Sequence, residues 1–367
     1  MTGDRAAYAA LALTPGIGAA RMKTLLDACT TAHGALSAPF AFLCSLSGIG
    51  RAAASAVAAA KVEDGARVLE RAAALGAAVL IPGEPAFPAR LAEIPDPPTL
   101  LFAQGDLSLL DRPAVGVVGS RQHTAYGAEA CRRVVGDAVG MGLVVVSGMA
   151  RGLDAVAHAH ALDLGGGTVG VLGNGLGVVY PAANRELYAR VEAHGLLLTE
   201  FAPGERPQVH TFPRRNRLIS GLSAATVVVE AGLGSGAIIT ADCALEQGRD
   251  VLAVPGPITS EASAGTNRLI RDGAAPYLEA ADLAAHYPSL VPAARREPAA
   301  APRPLPAELG AGELAILPHL EAPEPTHIDH LAERAGLPVA DVLGLLCGLE
   351  IAGVVEQLPG RRFRRLS

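Results

Sequence analysis

The side chains best suited to bind an anion form a basic cluster just past the middle of the chain. Arg214, Arg215 and Arg217 lie within four consecutive residues. The remaining member of this run is Asn216, and no acidic residue follows before Glu230. Guanidinium groups are planar and donate in pairs to phosphate oxygens. The cluster therefore predicts a surface that follows a phosphate backbone.

A glycine-rich turn comes shortly after this cluster. The apolar run 225–229 leads into residues 230–236, Glu-Ala-Gly-Leu-Gly-Ser-Gly, and a helix is predicted to begin at Ala237. Glycine allows the backbone to approach a ligand closely, and the free amides of a helix N-terminus attract an anion. Ser235 and Gly236 are therefore predicted to bind phosphate together with the arginines.

The order of apolar run, small-residue turn and helix recurs from residue 115 onward. Such runs, alternating with helices, predict a parallel sheet covered on both faces. Right-handed crossovers then place every turn at the carboxyl edge of the sheet. We predict an α/β fold with a Rossmann-like, doubly wound core. The turns expected to share one rim with Arg121, Arg151 and the basic cluster are 119–121, 147–152, 173–175, Glu200 and 230–236.

The chain is predicted to have three domains. Residues 1–75 contain Ala-rich helices and two Gly-Ile-Gly turns, which are typical of an all-α helix–hairpin–helix (SAM-like) domain. Residues 76–287 are assigned to an extended Rossmann-like domain and residues 288–311, rich in Ala and Pro, to a linker. Residues 312–367 are assigned to a winged-helix domain of three helices and a hairpin.

The sequence does not specify whether the two terminal domains bind DNA or protein. Amides of the Gly-Ile-Gly turns can hold phosphate, but a structural or protein-contacting role for the helical domain fits equally well. The last helix of the winged-helix domain carries Asp341 and Glu350 and no Lys or Arg. A helix that enters the groove of a duplex is usually basic or rich in amides, so duplex recognition is not expected there.

Composition narrows the class of protein. Half of the residues are hydrophobic and 18% are charged, which allows a large core. No apolar run approaches a membrane span of about 18 residues, and the five cysteines lack the spacing of a zinc site. The net charge of −6 argues against a protein that is basic over its whole surface. We expect a soluble, cytoplasmic protein with reduced cysteines and no cofactor or metal.

Several polar residues have a structural interpretation beside a catalytic one. Asp154 and His158 are four residues apart on a helix, as in a metal site or proton relay, but a capping carboxylate and a packed imidazole are preferred. Glu200 and Glu230 both follow strands, as an acid–base pair would, but ion pairs with the arginines are preferred. Phe212 is a core residue or a platform for a nucleobase.

A series of short motifs runs in a fixed order through about residues 75–285. The motifs are Val118-Gly119-Ser120-Arg121 with Thr124 and Tyr126-Gly127; Ser147 to Asp154 with Ala157-His158; Val171 to Gly175 with Tyr180-Pro181 and Asn184; Phe212 to Arg217 with Ser220-Gly221; Ser235-Gly236 with Thr240-Ala241; and Pro255-Gly256 with Gly265-Thr266-Asn267. Together they resemble the DNA processing protein A (DprA/Smf) family, some members of which also have a helical N-terminal module and a winged-helix tail.

The resemblance implies a protein that binds single-stranded DNA without enzymatic activity and acts in natural transformation. Such proteins protect incoming single strands and help load the RecA recombinase, displacing or bypassing single-strand-binding protein. They form homodimers through the Rossmann-like domain. Weaker binding of double-stranded DNA is a further expectation.

The resemblance also implies which residues bind DNA. Gly119, Ser120, Arg121, Phe212, Asn216, Arg217, Ser235 and Gly236 match the family's DNA pocket, and we add Thr124, Gly148, Arg151, Arg214 and Arg215 to the predicted set. Family members often carry a basic residue just before Phe-Pro, where this chain has Gln208-Val209-His210. We therefore expect a greater dependence on Arg206, Arg214 and Arg215.

Two enzymatic alternatives are weaker. A nucleotide-cleaving phosphoribohydrolase, which has a similar core, needs a Glu shortly after its glycine turn, whereas Gly236 is followed by Ala237-Ile238-Ile239. A nicotinamide-dependent enzyme would place its Gly-x-Gly-x-x-Gly sequence after a strand, but residues 165–170 precede theirs.

Overall fold

The computed structural model describes residues 2–287, 309–320, 326–358 and 362–365. Contacts divide the chain into two units, residues 1–290 and 291–367. Most of the predicted linker, residues 288–308, lies outside the described residues. The predicted boundary at residue 75 falls inside the first unit and stays a prediction.

The first unit begins with six helices: α1 Thr2–Ala12, α2 Ala19–Cys29, α3 Ala32–Ser37, α4 Phe40–Ser45, α5 Arg51–Ala59 and α6 Val62–Ala74. Helices α1 and α6 approach so closely that a Cβ on Gly65 would lie 1.9 Å from the carbonyl oxygen of Ala6. The guanidinium of Arg21 donates to the carbonyls of Gly16 (2.7 Å) and Gly48 (2.9 Å). Arg21 therefore joins the two predicted hairpin turns.

The centre of the unit is a nine-stranded sheet in the order β1-β2-β6-β5-β4-β3-β7-β8-β9. The seven strands β3 to β9 are parallel to one another. Strands β1 and β2 extend the sheet beyond β6, and their pairings β1–β2 and β2–β6 are antiparallel. The strands are β1 Ala78–Leu80, β2 Leu101–Gly105, β3 Ala114–Val118, β4 Val144–Ser147, β5 Thr168–Val171, β6 Leu196–Thr199, β7 Ala225–Val228, β8 Asp250–Ala253 and β9 Ala275–Pro276. The predicted apolar runs lie in these strands.

Helices cover both faces of the sheet, as a doubly wound fold requires. They are α7 Ala89–Ala92, α8 Ala125–Gly140, α9 Leu153–Asp163, α10 Arg185–His194, α11 Thr211–Leu222, α12 Gly236–Glu246, α13 Ala264–Arg271 and α14 Ala280–Ala284. Val115 and Val117 pack with α8 and α9, whereas Val118 packs with α11 and α12. The alternation follows from the two-residue period of a strand. It confirms the Rossmann-like core.

The order of the strands reverses between β3 and β7. From β3 the chain proceeds outward to β4, β5 and β6, and from β7 it proceeds the opposite way to β8 and β9. The two strands pair in parallel, with Val118 opposite Val228. In open α/β sheets, a crevice forms at such a reversal because the following helices leave in opposite directions.

The second unit is a winged helix, as predicted. Its elements are α15 Ala311–Ile316, β10 Thr326–His327, α16 Ile328–Ala335, α17 Val339–Ile351, β11 Val355–Leu358 and β12 Arg362–Arg365. Leu331, Val342, Leu346 and Phe363 form the centre of its core. Helix α16 begins only at Ile328, because Thr326 and His327 pair with β12. Among all the helices described, none is long and apolar enough to cross a membrane.

Candidate nucleic-acid interface

A cavity of about 790 Å³ opens at the reversal point, beyond the carboxyl ends of β3 and β7. Its walls come from the turn after β3, from helix α11, from the start of α12 and from Tyr180. The lining residues are Val118 to Gln122, Ala150, Asp154, Tyr180, Val209, Phe212, Pro213, Arg215, Asn216, Ile219, Gly232, Gly234 to Ala237, Ile239 and Thr240. Of the predicted site residues, it brings together Gly119, Ser120, Arg121, Phe212, Arg215, Asn216, Ser235 and Gly236.

The turn after β3 is held from two sides. The amide of Ser120 donates to the carbonyl of Glu230 (2.7 Å), and the carbonyl of Ser120 accepts from the amide of Leu153 (3.1 Å). A Cβ on Gly119 would lie 2.3 Å from Cδ1 of Leu153, so glycine is needed for this packing. The turn therefore presents the exposed Arg121 from a fixed backbone.

Thr124 lies just beyond this turn and caps helix α8 instead of lining the cavity. Its hydroxyl accepts from the amide of Gly127 (3.1 Å) and donates to Glu230 Oε1 (2.5 Å). The amide of Thr124 donates to Glu230 Oε2 (2.8 Å). The ion pair we predicted between Glu230 and the arginines is therefore wrong. The carboxylate of Glu230 lies instead at the N-terminus of α8, where amide donors and the helix dipole stabilise negative charge.

An aromatic wall borders Arg121. The Cζ atom of Arg121 lies 5.4 Å from the centre of the Phe212 ring, within the range of a cation–π contact. The ring of Tyr180 lies 5.5 Å from that of Phe212, at an angle of 35°. Phe212 is half-buried and also packs on Gly173, where a Cβ would lie 2.8 Å from its ring. The cavity thus combines an exposed cation with aromatic rings.

Arg215 lines the floor of the cavity but is only 3% exposed. Its guanidinium donates to the carbonyls of Gly148 and Val171, at the ends of β4 and β5. Burial lowers the pKa of Arg215, and the nearby carboxylate of Asp154 opposes that shift. Gly148 contributes its carbonyl to this network and does not line the cavity. Arg215 and Gly148 therefore support the floor of the cavity from below.

Arg214 and Arg217 lie on a different side of helix α11. Both form ion pairs with the buried carboxylate of Glu200, with N–O distances of 2.9 and 2.7 Å. Arg217 also pairs with Asp96 (3.1 Å) and its side chain is 12% exposed, against 55% for Arg214. The predicted ion pairing of Glu200 is confirmed. Together with Gly16 to Ala19, these arginines border a smaller cavity of about 240 Å³.

Helix α12 closes the cavity on the side opposite Arg121. The side-chain oxygen of Ser235 caps this helix by accepting from the amide of Ala237 (3.3 Å). Asn216 donates to the carbonyl of Gly236 (3.3 Å) and thereby joins α11 to α12. Ser235, Gly236 and Ala237, at the start of α12, line the cavity, so the positive end of the helix dipole lies beside it.

Three other residues singled out in the sequence have structural placements, although Asp154 also lines the cavity. Arg151 is exposed but does not line the cavity. His158 is buried and its Nδ1 lies 2.7 Å from Thr168 Oγ1, and burial lowers the pKa of His158 to about 3. Asp154 is also buried, and its carboxylate accepts from the amide of Ala150 (3.2 Å). The packed imidazole of His158 is confirmed. The predicted capping role of Asp154 is wrong, because α9 begins after Gly152 and Asp154 lies inside its first turn, where its carboxylate accepts from the preceding loop.

Tyr180 and Val209 were missed by the sequence analysis as cavity residues. Tyr180 follows the turn after β5, so its position beyond a strand's carboxyl end was the available signal. Val209 is 91% exposed and occupies the region in which the basic residue was expected. Three arginines were expected to compensate for the missing basic residue. Arg206 is exposed, whereas Arg214 and Arg215 bond to protein groups.

Comparison with known protein families gives two matches. Residues 78–288 match the family model described as DNA recombination-mediator protein A. Residues 298–361 match the model described as DprA winged helix domain. The matches therefore include both the sheet that carries the cavity and the second unit.

Individual relatives agree with these matches. The chain is 40% identical to Protein Smf of Escherichia coli (strain K12) over 289 residues, which are 77% of this chain and 76% of that protein. It is 44% identical to the DNA processing protein DprA of Streptococcus pneumoniae (strain ATCC BAA-255 / R6) over 201 residues, 55% of this chain and 71% of that protein.

Two solved structures are similar to this one. The X-ray structure of DNA processing protein A from Streptococcus pneumoniae has a TM-score of 0.64 and 32% identity, and covers 77% of this chain and 95% of that chain. The structure of DNA processing protein A from Helicobacter pylori, described for its single-stranded DNA binding mode, has a TM-score of 0.53 and 27% identity, and covers 58% and 96%.

Proposed function

The chain belongs to the DprA/Smf family of DNA-processing proteins, and from this membership we propose that it binds single-stranded DNA in the cavity between β3 and β7. The observation that carries the proposal is the meeting of Arg121, the first turn of α12 and an aromatic wall around one cavity of about 790 Å³. Guanidinium and helix amides bind phosphate, and aromatic rings stack on unpaired bases. These are the two chemistries that an unpaired strand offers.

The wider proposal is that the protein protects incoming single strands during natural transformation and helps to load RecA onto them in the cytoplasm. Family membership supports this role. Displacement of single-strand-binding protein and dimerisation through the Rossmann-like domain belong to the same proposal. Of the thirteen residues predicted to bind DNA, we propose seven as the centre of the site: Gly119, Ser120, Arg121, Phe212, Asn216, Ser235 and Gly236.

We further propose that the protein acts by binding and not by catalysis. The carboxylates closest to the cavity support this interpretation. Glu230 accepts two hydrogen bonds from Thr124, and Asp154 is buried and accepts from Ala150. Both carboxylates thus make structural hydrogen bonds, and the Glu that the phosphoribohydrolase alternative needs after its glycine turn is replaced here by Ala237-Ile238-Ile239.

The direct test is fluorescence anisotropy with a labelled oligothymidine. Arg121→Glu is expected to weaken binding strongly, because it replaces the exposed cation of the cavity with a carboxylate. Arg132→Glu is the matched control, since Arg132 is an exposed arginine of α8 outside the cavity. Equal affinities for both variants and the wild type would refute the site. Release of free base from nucleoside monophosphates would support the enzymatic alternative instead.

A further inference from the structure

The two aromatic rings of the cavity differ in how much of their surface is free. Phe212 is half-buried, packs against Gly173 and has the guanidinium of Arg121 5.4 Å from its ring centre. A nucleobase stacked on Phe212 from that side would displace Arg121. The same ligand would then lose the cation that its phosphate needs. Phe212 is therefore poorly placed as the main stacking surface.

Tyr180 is the more accessible ring. It is 44% exposed and lines the cavity, and its ring lies 5.5 Å from that of Phe212. The guanidinium of Arg121 lies over the ring of Phe212, so a nucleobase could stack on Tyr180 without displacing it. An exposed aromatic ring that faces a cavity beside a cation is the arrangement that binds unpaired bases in sequence-tolerant proteins.

The backbone around Tyr180 is fixed from two directions. The carbonyl of Tyr180 accepts a hydrogen bond from the hydroxyl of Tyr188 (2.8 Å). The side-chain amide of Asn184 donates to the carbonyls of Met149 (3.0 Å) and Ala150 (3.1 Å). Ala150 itself lines the cavity. The ring of Tyr180 is therefore presented from a support that is joined to the cavity wall, which reduces the entropy lost on binding.

We propose that Tyr180 is the surface on which a nucleobase of the bound strand stacks, with Phe212 supporting it from behind. The proposal rests on the proposed binding of single-stranded DNA and adds a base contact to the phosphate contacts. Because every base has a π-face, this contact adds affinity without selecting a sequence.

The test compares Tyr180→Ala and Tyr180→Phe on two oligomers of equal length, oligothymidine and an oligomer of abasic sugar phosphates. On oligothymidine, Tyr180→Ala is expected to bind at least about fivefold more weakly than the wild type. Tyr180→Phe keeps the ring and is expected to bind as the wild type does. On the abasic oligomer, all three proteins are expected to bind equally. Phe42→Ala, an exposed aromatic of the helical module, is the matched control.

A second measurement does not depend on the folding of a variant. Irradiating the wild-type complex with a strand that contains 5-iodouracil is expected to cross-link a peptide that includes Tyr180. The proposal is overturned if Tyr180→Ala loses as much affinity on the abasic oligomer, if it loses none on oligothymidine, or if Tyr180→Phe is equally weak. Failure of the wild type to bind either oligomer would instead refute the proposed function.

Discussion

The carboxylate of Glu230 accepts hydrogen bonds from both the backbone amide (2.8 Å) and the hydroxyl (2.5 Å) of Thr124. Glu230 follows β7 and Thr124 caps α8, so the pair joins the two strands at which the sheet reverses. The segment between β3 and Thr124 carries Ser120 and Arg121. The position of the main exposed cation of the cavity thus depends on a carboxylate that never contacts it.

Glu230→Gln is expected to destabilise the fold by about 1–2 kcal/mol, because the charge-assisted hydrogen bonds from Thr124 become neutral ones and the N-terminus of α8 loses its negative charge. Denaturation by urea measures this cost. Binding of oligothymidine is expected to weaken as well, since the bonds that fix the Thr124 end of the segment carrying Arg121 become weaker, while the backbone bonds of Ser120 remain. Thr124→Ser keeps the hydroxyl and serves as the control. An unchanged midpoint for Glu230→Gln would contradict the anchoring role.

The adjacent residues Arg214 and Arg215 are expected to contribute very differently to the free energy of unfolding. Arg215→Met leaves two buried carbonyls without their donor and removes the cation near the buried carboxylate of Asp154, and is expected to cost about 3–5 kcal/mol. Arg214→Met removes a half-exposed ion pair and is expected to cost about 1 kcal/mol or less. Urea denaturation of both variants checks the difference. Similar costs would mean that Arg215 does not support the cavity floor.

The contribution of Arg121 is expected to be electrostatic. The affinity of the wild type for oligothymidine should fall steeply as salt increases, because phosphate contacts release counterions. In Arg121→Ala, the slope of log affinity against log salt is expected to be shallower by about 0.7 for each lost contact. Arg132→Ala should keep the wild-type slope. Parallel plots for Arg121→Ala and the wild type would exclude a phosphate contact at this position.

His158 is expected to make stability depend on acidity. Burial lowers its pKa to about 3 in the folded protein, so only the unfolded chain takes up a proton as the pH falls below the ordinary value near 6.5. This group therefore reduces the free energy of unfolding on acidification, by up to about 1.4 kcal/mol per pH unit. Above about pH 6.5, His158 is neutral in both the folded and the unfolded protein, so it causes no loss of stability there.

The measurement compares the wild type with His158→Gln between about pH 7 and about pH 4. At the higher pH, the wild type is expected to have a larger free energy of unfolding than His158→Gln. This difference between the two proteins should shrink as the pH falls. Burial raises the pKa of Asp154, which acts in the opposite sense in both proteins, so the comparison isolates His158. A difference that stays constant with pH would show that His158 does not titrate on unfolding.

Local sequence was enough to predict the parallel strands β3 to β8 and the edge of the sheet at which the cavity lies. Runs such as Val115–Val118 and Thr226–Val229 consist mostly of β-branched residues, which favour a strand buried on both faces. Each run is followed by a turn that contains small residues. Once such runs alternate with helices, the handedness of the crossovers places Gly119 to Arg121 and Ser235-Gly236 on one edge. Both turns do line the cavity.

Only the tertiary structure decided which arginines face the cavity. The basic cluster lies within α11, and Pro213 lies in the first turn of that helix, where proline is tolerated. The 3.6-residue period then separates Arg217 from Phe212 and Asn216. The partners of these side chains come from distant strands: Glu200 for Arg217, Val171 for Arg215 and Thr124 for Glu230. Spacing along the chain specifies the side of a helix, but the group packed against that side comes from the folded sheet.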